Sequence, residues 1–231
     1  MKQFNHKQFV NEVPFNLQTD DLKRRLNLET NTRLSLEFDE FVRVVEETAK
    51  PKALYKACFI DEKGPDSISM EGVTFKSPAL RHNLDQVNRV FPYIATCGGE
   101  VDEITSGEDD ILKQVWMYSI KLNLLEASLQ FIQDEINQSF KFTKLSSMNP
   151  GSGETSMWPI EQQRALFSMI GDVQGQIGVK LLPSFLMQPD ISTSGIFFPA
   201  ETTFQNCQLC QRENCEYRRA AFDEALWESI H

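Results

Sequence analysis

The sequence predicts a domain that mixes helices with β-strands, and three observations point there. Apolar residues recur at alternating spacings of four and three from Ile111 to Ile136 with neither Gly nor Pro between, as a long helix requires. Short runs of β-formers bounded by Gly, Pro and Asp occupy 53–61, 68–75, 90–96 and 193–199. The 231 residues are 41% hydrophobic and 24% charged, enough to close a real core and outside the disordered and fibrous classes.

Taken in order, the first fifty residues read as helical and amphipathic, with Leu22, Leu26 and Leu28 ahead of Phe38, Phe41, Val42 and Val45, and Pro51 closes them. The run 53–61 reads as a strand ended by the turn residues Asp61, Lys63, Gly64 and Pro65, and 68–75 as a strand or strand pair broken at Gly72. Ser77 and Pro78 open a helix that buries Leu80, Leu84 and Val87. A buried strand over 90–96 ends at Gly98 and Gly99.

A helix over 107–139 follows, capped by Ser106, with Glu108, Asp109 and Asp110 complementing its positive end. Its stripe of Ile111, Val115, Tyr118, Leu122, Leu125, Leu129, Ile132 and Ile136 is expected to be buried. A second stripe of Met117, Ile120, Leu124 and Phe131 places it between a sheet and other helices. The same spacing also suits a coiled-coil seam. A polar loop over 146–156 leads to a helix carrying Leu166, Phe167 and Ile170 and ended by Gly171. Strands over 177–185 and 193–199, joined by a turn at Pro189 and Asp190, complete the body. A segment rich in cysteine and a short helix through Phe222 and Trp227 come last.

Composition narrows function. With 23 Lys+Arg against 33 Asp+Glu the net charge is −10, which argues against a nucleic-acid partner. No run of about 18 apolar residues suggests a membrane span, and Met1–His6 lacks the apolar core of a secretory signal, so the expected location is cytoplasmic.

Five cysteines, an odd number, suit a reducing compartment. Cys207, Cys210 and Cys215 fall within nine residues, a C-x-x-C followed by a third thiol. They are candidate ligands of zinc or an iron-sulfur cluster, with Cys97 as fourth ligand ahead of Cys58, His6, His82 and His231. A thiol redox pair or packed structural thiols are the alternatives, and for Cys97 the packed thiol is the stronger one. Arg212, Arg218 and Arg219 either offset thiolate charge, grip an acidic ligand or partner, or are solvated. The stretch Asn149–Gly153 has the composition of an anion-cradling loop, but no Walker or G-x-G-x-x-G pattern accompanies it, so it reads as a plain loop. Neither H-E-x-x-H nor G-x-S-x-G occurs, and the acidic residues 102–110 are unpaired charge.

The stretch Ile177–Pro189, with its Ser184 and Met187-Gln188-Pro189, followed by Ser192–Pro199 with Ser194-Gly195 and two phenylalanines, resembles the reactivation domain of cobalamin-dependent methionine synthase. Thr96-Cys97-Gly98, the acidic segment and the long helix are similar too, so the resemblance spans about residues 90 to 200. The tail Cys207-x-x-Cys210-x4-Cys215-x-x-Arg218-Arg219 resembles a stand-alone subfamily. The resemblance implies an α+β, C-shaped domain on a twisted antiparallel sheet over 1–204, with a cysteine-rich tail over 205–231.

It also implies an accessory role in reductive reactivation of a methyltransferase in trans, with S-adenosylmethionine and an electron donor such as flavodoxin. The candidate cofactor contacts are Pro150, Gly151, Ser184, Met187, Ser194 and Gly195. The family's Arg-Pro-Ala-x-Gly-Tyr loop corresponds here to Ser147–Ser152, without the Arg or Tyr, so weak or no binding of S-adenosylmethionine is expected. Neither Asp-x-His-x-x-Gly nor Gly-Cys-Cys occurs, so the cobalamin is expected on a partner, a corrinoid protein or methionine synthase. The competing reading is a non-catalytic module that docks a partner through a metal-stapled tail.

Overall fold

A computed structural model describes residues 8–105, 107, 109–153, 157–200, 204–215 and 218–230. Met1–His6, Ser106, Glu108, the end of the polar loop at 154–156, and His231 lie outside the described residues.

Strand β1 (Gln8–Glu12) and helices α1 (Thr19–Arg25) and α2 (Thr32–Thr48) come first. Asn31 caps α2, its side-chain oxygen accepting from the Leu34 N–H at 3.2 Å. The expected single strand over 53–61 is two, β2 (Lys52–Lys56) and β3 (Cys58–Lys63). Strands β4 (Ser67–Met70) and β5 (Val73–Lys76) form a hairpin whose turn holds Gly72, as its φ of 75° requires. Ser77 caps α3 (Pro78–Asn83), as expected.

Strand β6 (Arg89–Thr96) is the axis of the sheet. One of its edges pairs with β2 over 93–96 and with β3 over 89–90, all antiparallel. Pro92 has no N–H to donate, and it falls where that edge passes from one partner strand to the other, paired with neither. The other edge pairs antiparallel with β10 (Ser192–Pro199), which in turn pairs with β7 (Leu145–Met148). The described residues thus form an eight-stranded antiparallel sheet, joined to helices in an α+β fold.

The long helix α4 runs from Ile111 to Phe140. It starts later than the spacing predicts, with Asp110 as its cap: the Asp110 carboxylate accepts from Leu112 N at 2.9 Å and Lys113 N at 3.4 Å. Its first half turns the other stripe inward. Trp116, Met117, Ile120 and Leu124 are buried, whereas Ile111 is 74% exposed and Val115 46%. Apolar residues cover too much of the circumference for spacing to choose a side. The choice is made by Trp116, whose ring meets Phe38 edge-on at 5.3 Å, and by Ser128. That serine is fully buried because its hydroxyl donates to the Thr96 carbonyl at 3.2 Å, so a polar residue marks the inner face. Leu125 and Leu129 are half-buried, and the expected stripe is truly inside only at Ile132 and Ile136.

Three cores result. One face of the sheet carries Leu54, Ile94, Ile196 and Phe198 against α3 and the helices α5 (Gln163–Ile170) and α6 (Val173–Ile177). The opposite face packs Tyr93, Ala95 and Phe197 against the second half of α4. The first half of α4 packs with α1, α2 and Cys97.

The expected strand over 177–185 is absent. Gly178, at φ 76°, ends α6, and only β8 (Lys180–Leu181) and β9 (Met187–Gln188) pair across a reversal at Leu182–Phe185. No helix of the described residues is long and apolar enough to cross a membrane.

Candidate functional site

The antiparallel register sets the site. Gly195 of β10 stands opposite Tyr93 of β6, and Ile196 stands opposite Met148 at the end of β7. The chain leaves β7 at Asn149, directly beside Gly195. A Cβ at position 195 would lie 2.5 Å from the Met148 carbonyl oxygen, 2.6 Å from the Asn149 amide nitrogen and 2.9 Å from Tyr93 Oη. The absence of a side chain therefore lets the Asn149 amide reach across the strand. It donates to Tyr93 Oη at 2.7 Å and to the Ser194 carbonyl at 2.8 Å. Its oxygen accepts from Asn206 of the tail at 3.4 Å. One side chain thus ties β6, β10 and the tail together.

Above this floor opens a cavity of about 600 Å³, within the range of small-molecule sites. One wall is apolar, with Leu125 and Leu129 from α4, Phe197 and Phe204. Tyr93 stacks on Phe197 with ring centres 4.2 Å apart. Burial pushes the Tyr93 phenol up to about 12, and hydrogen bonds from Asn149 and Ser147 and the charge of Arg219 act in the opposite sense. The phenol is therefore neutral at physiological pH. Two buried amide atoms of lining residues, Gln163 Nε2 and Asn206 Oδ1, have no hydrogen-bond partner among the described residues.

Of the residues that the sequence singles out, Pro150, Gly151, Met187, Ser194 and Cys207 line this cavity. Gly195 acts from beneath, as backbone room for Asn149. Ser184 does not join them: it is exposed in the reversal between β8 and β9. Tyr93, Gln163 and Phe204 are cavity residues that sequence reasoning misses, because nothing local marks them, whereas Arg219, which the sequence offers as a grip for an acidic ligand or partner, also lines the cavity. The loop at 149–153 is not an anion cradle. The Gly151 N–H is spent on the Trp158 carbonyl at 2.8 Å and the Ser152 N–H on the Asn149 carbonyl at 3.2 Å. Gly151 is set by packing, with φ 72° and Ile160 Cβ 2.9 Å from where its own Cβ would sit. A wider depression of about 850 Å³ contains Arg89, whose guanidinium lies between the Phe59 and Phe140 rings at 5.0 and 5.1 Å. Of the residues that the sequence singles out for a site it holds His82 alone, without another candidate metal ligand in its lining.

No metal centre is gathered around the thiols among the described residues. Among the described residues no three His, Cys, Asp or Glu side chains are gathered as an ion or cluster would need. Cys97, expected as fourth ligand, is fully buried among α1, α2 and α4, and its Sγ donates to the Gly98 carbonyl at 3.2 Å. Burial pushes that thiol up to about 12, with the charge of Lys121 opposing, which disfavours the thiolate a metal requires.

Cys207, Cys210 and Cys215 are half-buried free thiols, and their segment is organised by Arg218 instead. The Arg218 guanidinium donates to the carbonyls of Cys207 at 3.2 Å, Cys210 at 3.1 Å and Ala220 at 3.1 Å, and also to that of Arg212. Five donors on a rigid fork are suited to gathering carbonyls in this way. The tail then docks through Leu209, buried in the first core, and through α7 (Glu224–Ile230) against α3. Protein prepared without chelator is expected to hold well under one equivalent of zinc or iron by elemental analysis, and Arg218→Ala to make the tail protease-sensitive. A full equivalent of either metal would show that the thiols converge after all.

No protein-family model matches the chain, and no curated protein is similar to it in sequence. Among solved structures it is similar to one described as the MetH reactivation domain bound to AdoHcy. The identity is 16% and the TM-score 0.55, over 77% of this chain and 68% of that one. A likeness at that identity speaks for the fold.

Proposed function

We propose that this chain supports reductive reactivation of a cobalamin-dependent methyltransferase of the methionine synthase type, acting in trans on a partner that carries the cobalamin. The observation that carries the reading is the fold likeness to the MetH reactivation domain, spanning 77% of the chain. The neighbour is described with AdoHcy bound, and the cavity here has the size and the mixed apolar and amide lining for an S-adenosyl ligand.

When bound, the S-adenosyl ligand would supply a methyl group, to be received by the partner's cobalamin together with one electron from a reduced donor protein. This chain's residues would bind and orient. The Tyr93–Phe197 stack and Leu125 and Leu129 offer an apolar wall. Gln163 and Asn206 bring amide side chains to the lining. Asn149 holds the floor in register. The competing reading, a docking module stapled by metal, lacks a gathered ligand set among the described residues.

The test uses a cobalamin-dependent methionine synthase fragment without a reactivation domain of its own, inactivated by oxidation. With S-adenosylmethionine and reduced flavodoxin, adding this chain is expected to restore turnover. If an authentic reactivation domain restores it under the same conditions and this chain does not, the proposal fails.

A further inference from the structure

We infer that the C-terminal tail completes the cavity as its anion reader, with Arg219 receiving a carboxylate of the bound ligand. The chain carries a net charge of −10, yet no Asp, Glu or Lys is among the described residues lining the cavity, and Arg219 is the one charged side chain among them. A cation as the single charge among those lining residues gives a local field that favours a negative group. The salt bridges among the described residues leave Arg219 out, so its guanidinium is not committed to a carboxylate of those residues.

Its placement is built from the tail itself. The neighbouring Arg218 is anchored on the carbonyls of Cys207, Cys210 and Ala220. The Arg219 backbone N–H donates to Cys207 Sγ at 3.4 Å, and Cys207 also lines the cavity. The two adjacent arginines therefore divide the work: Arg218 holds the tail in shape, and Arg219 presents its charge at the cavity. Arg219 and Tyr93 line the same cavity, and the Arg219 charge acts on the Tyr93 phenol to lower its pKa. The amide side chains of Gln163 and Asn206 make that lining polar without adding charge. A planar guanidinium can take a carboxylate through two parallel hydrogen bonds, which a lysine cannot reproduce.

This inference rests on the reading of the cavity as an S-adenosyl site, and the ligands that test it differ only by the carboxylate. Calorimetry compares S-adenosylmethionine with decarboxylated S-adenosylmethionine on wild type, Arg219→Gln and Arg219→Lys, with the melting temperature of each variant recorded. In the wild type the carboxylate form is expected to bind about 10- to 100-fold more tightly. Arg219→Gln should erase that difference while leaving the decarboxylated ligand unchanged, and Arg219→Lys should restore part of it. The preference of the wild type should also shrink as salt is raised. If the carboxylate form binds and Arg219→Gln binds it equally well, the inference fails and the S-adenosyl reading stands. If Arg219→Gln weakens both ligands alike, Arg219 acts on the shape of the site and the inference also fails. If the wild type binds neither ligand, both readings fall together.

Discussion

Leu124→Asp is expected to destabilise the protein by about 4 kcal/mol or more, enough to leave little folded chain at 37 °C. Leu124 is fully buried in the core where α4 meets the N-terminal helices, in the same cluster as Trp116, Met117 and Ile120. A carboxylate there would lose its water and find no cation, and removing the isobutyl group would add a void. The contrast with its neighbours makes the test sharp. Val115, 46% exposed on the opposite stripe, should accept Asp within about 0.5 kcal/mol. Leu125 is half-buried at the cavity wall, so Leu125→Asp should fall between the two and should disturb ligand binding more than folding. Urea unfolding of the three variants measures the order. A Leu124→Asp protein as stable as wild type would mean that α4 is turned the other way.

Gly195→Ala is the smallest change with a comparably large effect, about 2 to 4 kcal/mol. The added methyl group would meet the Met148 carbonyl, the Asn149 amide and the Tyr93 hydroxyl, all at 2.9 Å or less. One of these is backbone in the paired strand β7, so the collision cannot be relieved by a rotamer change alone. Strand β7 must move away from β10, or the Asn149 amide must leave Tyr93 and Ser194. Either outcome opens the cavity floor. The expected result is a lower melting temperature together with loss of ligand binding. Asn149→Ala separates the two consequences, because it removes the amide without the collision and should cost binding more than stability. A Gly195→Ala protein with wild-type melting temperature and affinity would show that the close approach of β7 to β10 is dispensable.

Part of the site is legible in the sequence alone. Pro150, Gly151, Met187, Ser194 and Cys207 are marked by motif and do line one cavity. The reasons for their presence differ from what motif alone suggests. Gly195 makes room for an amide, and the N–H groups of Gly151 and Ser152 are used within the chain. The cysteine spacing suggests a metal because i and i+3 thiols can share a side, but spacing says nothing about what else gathers the loop. Here the carbonyls of that segment converge on Arg218. The role of Arg219 depends on the tail folding back some seventy residues beyond Asn149, a juxtaposition without a local trace.

By itself the sequence determined what local chemistry determines. The cap at Ser77, the turn at Gly72, the end of α5 at Gly171 and the strands 90–96 and 193–199 follow from backbone preferences and alternation over a few residues. It also determined that a long helix lies between a sheet and other helices. Only the tertiary structure decided which stripe of that helix turns inward, because apolar residues surround most of its first half and the choice depends on Phe38 meeting Trp116 and on Thr96 accepting from Ser128. It likewise decided that Tyr93, Gly195, Asn149 and Arg219 meet around one cavity. Strand register and tail docking join residues as distant in sequence as Tyr93 and Arg219, and such pairings are settled by the free energy of the whole packed chain rather than by any window of it.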